Sequence, residues 1–175
     1  MANEPLTNNN DAAGSAAQPA KGHHHRETKN HCFACGKDNP EGMFLDFHFE
    51  GSEAVCNFTL TRRYTGPPGH AHGGIIATIL DEAMGKVNKL RSVLALTKEM
   101  SIEYLKPVPL EKPLVVVARE REIEGRKHVN VGEIKNAAGQ VLARGTATFI
   151  AIDPEKMFGR FAEEVMSPPG NGQAS

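Results

Sequence analysis

The spacing of apolar residues along the chain predicts one long helix between residues 74 and 90. Five apolar residues recur there at intervals of three and four, which places them on one side of a helix. An apolar stripe of this kind has to be covered by another element in a folded domain. The stripe comprises Ile76, Ile79, Leu80, Ala83 and Val87.

Six further segments have the short apolar or alternating patterns that are typical of β-strands. Gly51, Gly125 and Gly139 lie in polar breaks between neighbouring segments, as expected for hairpin turns. The order is two strands, the helix and four strands. We therefore predict an α+β domain in which the helix packs against an antiparallel sheet of five or six strands. The predicted strands span residues 44–49, 53–60, 100–105, 114–123, 127–134 and 141–152.

Composition divides the chain into one domain and two polar ends. Residues 1–29 are rich in Asn, Ala, Gly and Ser and contain no apolar run, so we predict a disordered tail. Residues 161–175 are predicted to be a flexible tail for the same reason. The domain is expected over residues 30–160. The histidine triplet at 23–25 falls in the tail, where an incidental cluster is favoured over a metal site.

The charge and cysteine content narrow the class of protein. The 175 residues include 20 basic and 21 acidic side chains, and a net charge of -1 argues against binding to nucleic acid. No stretch approaches the ~18 apolar residues of a membrane span, and the first 30 residues do not resemble a secretory signal. Three cysteines are an odd number and too few for a disulfide scaffold. We predict a cytoplasmic protein with reduced thiols.

The segment from Ala71 to Asp81 contains the most informative chemistry. His72-Gly73-Gly74 opens the predicted helix, where unpaired N–H groups and the helix dipole favour negative charge. Because glycines let a ligand approach the backbone closely, this turn is suited to stabilise an oxyanion. Asp81 lies beside the apolar stripe, either as a general base or nucleophile facing a cleft or as part of a hydrophilic helix edge. The residues alone leave both interpretations open.

These residues and the strands that follow resemble the hotdog-fold thioesterases of the PaaI-like group, especially the mitochondrial type of acyl-CoA thioesterase. The resemblance covers about two-thirds of the chain and rests on the His72-Gly73-Gly74 turn, on Asp81 and on residues 97–107 and 124–127. It implies a hotdog fold, in which an antiparallel sheet wraps one long central helix. It also implies hydrolysis of an acyl-CoA to a free acid and CoA, without a metal or an organic cofactor.

The resemblance assigns a role to four residues. Gly73 would donate its N–H to the thioester oxygen, and His72 would orient the turn and polarise the carbonyl. Asp81 would activate water or attack directly, and Thr97 would hold the lytic water. A polar residue at the start of a strand is an equally good explanation of Thr97.

Four further residues are expected to bind the substrate. Lys106, Arg126 and Lys127 are basic, and lysine and arginine bind phosphates such as those of CoA. Gly74 would lie beside the ligand in the glycine turn. Solvated turn charges are the alternative for each basic residue. For the whole protein, the alternative is a non-catalytic acyl-CoA-binding hotdog module, which would not need an acid at position 81.

The remaining candidate is the Cys-x-x-Cys-Gly segment at Cys32 and Cys35, which follows His31 and resembles half of a zinc site. A structural zinc needs four ligands, and the sequence has no second cysteine pair. We therefore predict a structural loop and no metal. Cys56, in a predicted strand, is expected to lie in the core.

The spacing of Gly73 and Asp81 predicts an active site shared between two chains. Eight residues separate them, which is about 12 Å along a helix axis. A thioester carbonyl and its attacking group must approach within about 3 to 3.5 Å. Two antiparallel helices in a two-fold homodimer would bring Gly73 of one chain near Asp81 of the other. The resemblance implies the same arrangement, with sheets joined edge to edge, in a dimer or a dimer of dimers.

Overall fold

The computed structural model of the protein describes residues 29–159. The predictions for the two tails, including the histidine triplet, lie outside this part of the chain. The strands and the long helix follow one another in the predicted order, and a 3₁₀ turn at Arg62–Tyr64 precedes the long helix. The elements are β1 (His48–Glu50), β2 (Glu53–Thr59), α1 (Gly73–Lys89), β3 (Ala95–Tyr104), β4 (Pro113–Glu124), β5 (Lys127–Asn136), β6 (Val141–Ala151) and α2 (Pro154–Phe158).

All six strands belong to one antiparallel sheet with the order β1-β2-β4-β5-β6-β3. β4, β5 and β6 are consecutive in sequence and form its centre. β3 follows α1 and returns to the far edge, where it pairs with β6. This topology leaves β1 and β3 as the edge strands and sets α1 across one face of the sheet.

The apolar stripe of α1 packs against β2, β3, β4, β5 and β6, as the pattern predicted. All five stripe residues are buried, and so is Met84. The sheet comes close to the helix at Gly132 and Gly145, where an added Cβ would lie 3.2 Å from the Met84 side chain. Glycine at these two positions therefore gives room for a large side chain on the helix.

A buried amide pair also ties the end of α1 to the sheet. The Nδ2 of Asn130 on β5 donates to the carbonyl oxygen of Met84 at 2.8 Å and to Oδ1 of Asn88 at 2.9 Å. Both asparagines are almost fully buried. Because a buried amide without partners is costly, these bonds favour one position of the helix over the strand.

Two strand boundaries differ from the prediction by more than two residues. β1 begins at His48 rather than at residue 44, since Phe44 has a φ of 55°, which does not fit an extended strand. β3 begins at Ala95, five residues before the predicted start at residue 100. Its first half, including Thr97, is largely exposed at the sheet edge, so the alternation that marks a half-buried strand is missing there.

Candidate active site

The glycine turn at the start of α1 is fixed by His72, the N-cap residue of the helix. Its Nδ1 accepts the N–H of Gly74 at 3.0 Å, and its own backbone N–H donates to the carbonyl oxygen of Tyr64 at 2.9 Å. The Gly74 N–H is therefore used inside the turn. The observed contact orients the turn, which is one of the two tasks that the resemblance implies for His72.

Gly73, the first residue of α1, has a backbone donor that the fold itself does not use. Within residues 29–159 no group accepts a hydrogen bond from its N–H. The first N–H groups of a helix lie at the positive end of the helix dipole. The turn therefore offers a backbone donor to a negatively charged ligand atom.

Tyr104, at the end of β3, contacts this turn. Its hydroxyl donates to the carbonyl oxygen of Gly73 at 3.2 Å, and its ring would lie 3.7 Å from a Cβ added at Gly73. More than half of the side chain is exposed. Sequence reasoning gave Tyr104 no role, although an aromatic residue in the segment that carries the resemblance was a signal for one.

The loop before α1 supports the turn by a close backbone approach. A Cβ added to Gly66 would lie 2.7 Å from the Cα of His72, so only glycine fits there without movement. Ala71, which directly precedes His72, pairs with the loop after β3: its N–H donates to the carbonyl oxygen of Val108 at 2.9 Å. The contact between Gly66 and His72 has no local signal in the sequence.

Asp81 lies two turns further along α1 and is held by Thr97. The Thr97 hydroxyl donates to Oδ1 of Asp81 at 2.7 Å. The Asp81 carboxylate is half-buried, whereas Thr97 is exposed. The contact is typical of a carboxylate that is kept in one orientation and still reached from solvent.

A β-bulge brings Thr97 to the helix side of β3. Thr97 lies opposite Phe149 and Glu99 lies opposite Thr148, so Lys98 is an extra residue in the pairing. In a regular strand, Thr97 and Met100 would face opposite sides of the sheet, because side chains alternate. The extra residue turns both toward α1.

The candidate residues fall into two groups at opposite ends of the sheet. The N–H of Lys106 donates to the carbonyl oxygen of Leu142 at the start of β6, while Arg126 bonds to Ala151 at its end. Nine residues of strand separate these points, which is about 30 Å. The first group comprises His72, Gly73, Gly74, Tyr104 and Lys106, and the second comprises Asp81, Thr97, Arg126 and Lys127.

The two basic residues of the second group lie at the β4–β5 hairpin, where Gly125 has a φ of 55°. The Nε of Arg126 donates to the carbonyl oxygen of Ala151 at 3.0 Å, so this arginine also joins the hairpin to the end of β6. The Nζ of Lys127 lies 3.9 Å from a carboxylate oxygen of Glu124. Both side chains are exposed, and their remaining N–H groups can reach a ligand from solvent.

The Cys-x-x-Cys segment packs on α1 one residue beyond Asp81. The sulfurs of Cys32 and Cys35 and a carboxylate oxygen of Glu82 all lie within 4.8 Å of one another. The Nζ of Lys86 lies 3.0 Å from Cys35 Sγ and 3.0 Å from Glu82 Oε1. Burial alone would raise the pKa of the Glu82 carboxyl, but the Lys86 ammonium and the hydrogen bonds from the Cys35 and Cys32 thiols together hold this pKa below its usual range. Cys56 is buried in the core, as predicted.

Comparison with known proteins shows which family the chain resembles. Residues 68–143 match the family model described as the thioesterase superfamily. The rat (Rattus norvegicus) acyl-coenzyme A thioesterase THEM4 is 37% identical over 103 residues, which are 58% of this chain and 44% of that protein. The chain thus spans less than half the length of this relative.

Solved structures share the fold. A thioesterase superfamily protein is 31% identical, with a TM-score of 0.66 over 70% of this chain and 61% of the other. A Streptococcus mutans protein solved with acetyl CoA is 27% identical, with a TM-score of 0.58 over 62% of this chain and 88% of the other. The E. coli PaaI protein, 21% identical, has a TM-score of 0.59 over 62% of this chain and 80% of the other.

Residues 68–143 are therefore similar to the thioesterase superfamily, and the fold is the hotdog fold that the resemblance implied. The resemblance to acyl-CoA thioesterases is confirmed by the rat relative, and the likeness to the E. coli PaaI protein is one of fold. In the part of the chain that the structure describes, no helix has the length and apolar character needed to cross a membrane.

Proposed function

We propose that this domain hydrolyses the thioester of an acyl-CoA to a free acid and CoA. The observation that carries the proposal is the hydrogen bond of 2.7 Å from the Thr97 hydroxyl to the Asp81 carboxylate. Asp81 lies on α1, and the first residue of this helix, Gly73, offers a backbone N–H. The name of the rat relative and the acetyl CoA bound to the S. mutans protein support the substrate class.

The contacts support a division of work in the reaction. Gly73 N–H stabilises the oxyanion that forms on the thioester oxygen, a donor whose loss typically costs roughly 3 kcal/mol. His72 holds the turn through Gly74 and polarises the carbonyl. Asp81, positioned by Thr97, takes a proton from water as it adds to the carbonyl carbon, or attacks that carbon itself. The thiolate of CoA leaves and is protonated, which completes the hydrolysis when water is the nucleophile. When Asp81 attacks, water then cleaves the mixed anhydride between the acyl group and Asp81, which releases the acid and restores the carboxylate.

The site we propose is formed by two copies of the chain. β3 is an edge strand, and Thr97 and Tyr104 lie near its two ends. If two copies pair antiparallel around a two-fold axis near Met100, Thr97 of one copy lies beside Tyr104 of the other. The Gly73 turn of one copy then approaches Asp81 of the other, which a single α1 does not achieve over about 12 Å.

The same pairing joins the two groups of substrate-binding residues. Lys106 of one copy comes to the end of the sheet that carries Arg126 and Lys127 of the other. We propose that these basic residues bind the phosphates of CoA and that Gly74 lies beside the thioester. A homodimer of this kind has two equal sites, and two dimers can associate further. A net charge of -1 and three unpaired thiols support a cytoplasmic protein that does not bind nucleic acid.

The decisive experiment is a thiol-release assay with short, long and aromatic acyl-CoAs on the wild type and on Asp81→Asn. The asparagine keeps the size of the side chain but removes its basicity, so kcat should fall by about 10² or more. Asp153→Asn, a change at an exposed carboxylate that caps α2, is the matched control and should keep full turnover.

Two outcomes would contradict the proposal. A wild type that binds acyl-CoA tightly but hydrolyses none of the panel is the non-catalytic binding module. Full turnover by Asp81→Asn would remove this residue from the mechanism, even if the wild type is a thioesterase.

A further inference from the structure

The dithiol at the Cys-x-x-Cys segment is a separate site from the one proposed for acyl-CoA. We propose that Cys32 and Cys35 are an oxidation site, which reacts with low-molecular-weight disulfides and closes to a Cys32–Cys35 disulfide. The inference depends on the contacts of this segment with α1 and does not depend on the activity of the domain.

The backbone around the two cysteines is a tight turn of fixed shape. The N–H of Gly36 donates to the carbonyl oxygen of Cys32 at 2.8 Å, and a Cβ at Gly36 would come within 2.4 Å of that oxygen. The side chain of Asn30 accepts the N–H of Cys32 at 3.1 Å. The two sulfurs lie within 4.8 Å of each other, so a change of side-chain rotamer can bring them to the distance of a disulfide. Both thiols are only half-buried, so a small reagent can reach them.

The charges around the pair favour thiol chemistry over a metal. Cys32, Cys35 and Glu82 offer three ligand atoms, but the Lys86 ammonium lies 3.0 Å from both Cys35 Sγ and Glu82 Oε1. The protein's own cation therefore fills the place that a metal ion would take between these groups. A positive charge beside a sulfur stabilises its thiolate, which is the reactive form.

The two thiols differ in their expected reactivity. A hydrogen bond from the Cys35 thiol lowers the pKa of Cys32 to about 6, against the opposing effects of burial and of the Glu82 carboxylate. The same hydrogen bond, together with burial, raises the pKa of Cys35. Burial raises the pKa of Cys56 to about 11. Cys32 is therefore the first nucleophile, and Cys56 is an internal reference that should not react.

The reaction balances with a small disulfide as the oxidant. The Cys32 thiolate attacks one sulfur of the reagent, forms a mixed disulfide and releases the other half as a thiolate. In the mixed disulfide, Cys32 is no longer a thiolate, so Cys35 has lost its hydrogen-bond acceptor. The released thiolate then takes the proton of Cys35, and Lys86 at 3.0 Å stabilises the Cys35 thiolate that forms. Cys35 then attacks the Cys32 sulfur and releases the second half. Two protein thiols are oxidised and one reagent disulfide is reduced to two thiols.

The test treats the native protein with oxidised glutathione and counts alkylated cysteines after unfolding without reductant. The wild type should lose two hydrogen atoms in mass, with label at Cys56 alone and a Cys32–Cys35 peptide in the map. Cys35→Ser should stop as a glutathione adduct on Cys32. Lys86→Met combined with Glu82→Gln, which leaves no unpaired buried carboxylate, should close about tenfold more slowly than Glu82→Gln alone, since the two variants differ only in the ammonium beside Cys35.

The matched control is Lys135→Met, since Lys135 pairs with Glu133 at 2.9 Å without a thiol beside it, and it should close at the wild-type rate. The proposal fails if all three cysteines still take label, or if glutathione stays bound to the wild type. It fails equally if purified protein carries about one zinc per chain that Cys32→Ser removes. An oxygen-bridged link between Cys35 and Lys86, seen as a gain of one oxygen and a loss of two hydrogens, would also overturn it.

Discussion

Thr97 reaches Asp81 because one extra residue in β3 reverses the direction of its side chain. Both residues could be named from the sequence, since the resemblance pointed to each. Their contact could not be predicted, because a bulge in an exposed edge strand leaves no periodic signal. Tyr104 was missed for a related reason: its hydrogen bond to Gly73 depends on the angle at which β3 crosses α1.

The Thr97 hydroxyl gives a test at the scale of one residue. Thr97→Val keeps the branched shape but removes the donor to Asp81, so kcat should fall by about tenfold or more with a smaller change in KM. Thr97→Ser keeps the hydroxyl and should retain most of the turnover. Steady-state kinetics with the preferred acyl-CoA measures both variants.

Thr146→Val is the control for Thr97, because it makes the same replacement on β6, on the face of the sheet away from Phe149 and Ala147. Its turnover should match the wild type. Equal turnover of Thr97→Val and Thr97→Ser would show that the hydroxyl has no part in the reaction, and Thr97 would then be a structural residue of β3.

At the scale of elements, hairpins and the long helix were predicted well because turn glycines and an apolar stripe mark them locally. The start of β3 and the Asn88–Asn130 contact were not. A buried asparagine in a strand has the same sequence pattern as an outward-facing polar residue, and only its distant partner distinguishes the two cases.

The Asn130 amide is therefore expected to matter for stability. Asn130→Ala leaves the Met84 carbonyl oxygen and the Asn88 side chain without their donor and opens a small cavity. Its free energy of unfolding should drop by about 1–3 kcal/mol in chemical denaturation. Asn57→Ala, at an exposed position of β2, is the control and should stay within about 0.5 kcal/mol of the wild type. Equal stability of the two variants would show that the buried bonds contribute nothing net.

The β4–β5 hairpin gives a test of phosphate recognition. Arg126→Ala with Lys127→Ala should raise KM for acyl-CoA and leave KM nearly unchanged for a thioester without the nucleotide. Arg126 also bonds to Ala151, so Arg126→Lys with Lys127 intact, which keeps the charge, is measured beside it. Lys112→Ala removes an exposed lysine just before β4 and should have no effect. If full-length and truncated substrates respond equally to the double variant, the hairpin does not bind the phosphates.

At the scale of the whole molecule, the structure separates the two halves of the proposed site, and the helix spacing alone already predicted this. Gly73 and Asp81 remain about 12 Å apart along α1, and Lys106 is about 30 Å from the β4–β5 hairpin along the sheet. The edge strand β3 extends between the two groups of site residues. A second copy that pairs with β3 would therefore bring Gly73 close to Asp81 and Lys106 close to the β4–β5 hairpin.

Mixing two inactive variants tests this sharing directly. Asp81→Ala removes the carboxylate, and Gly73→Pro removes the backbone donor. Proline suits this position, because Gly73 is the first residue of α1 and His72 before it has φ -65° and ψ 140°, which a following proline permits. Each variant alone should be inactive and should unfold at nearly the wild-type temperature.

If random exchange makes half of the dimers mixed, and each mixed dimer has one intact pair of Gly73 and Asp81, about a quarter of the wild-type activity should return. Subunit exchange has to be confirmed by the mass of a mixed dimer before activity is measured. Confirmed exchange without recovered activity would mean that Gly73 and Asp81 act within one chain, and the shared site would be wrong.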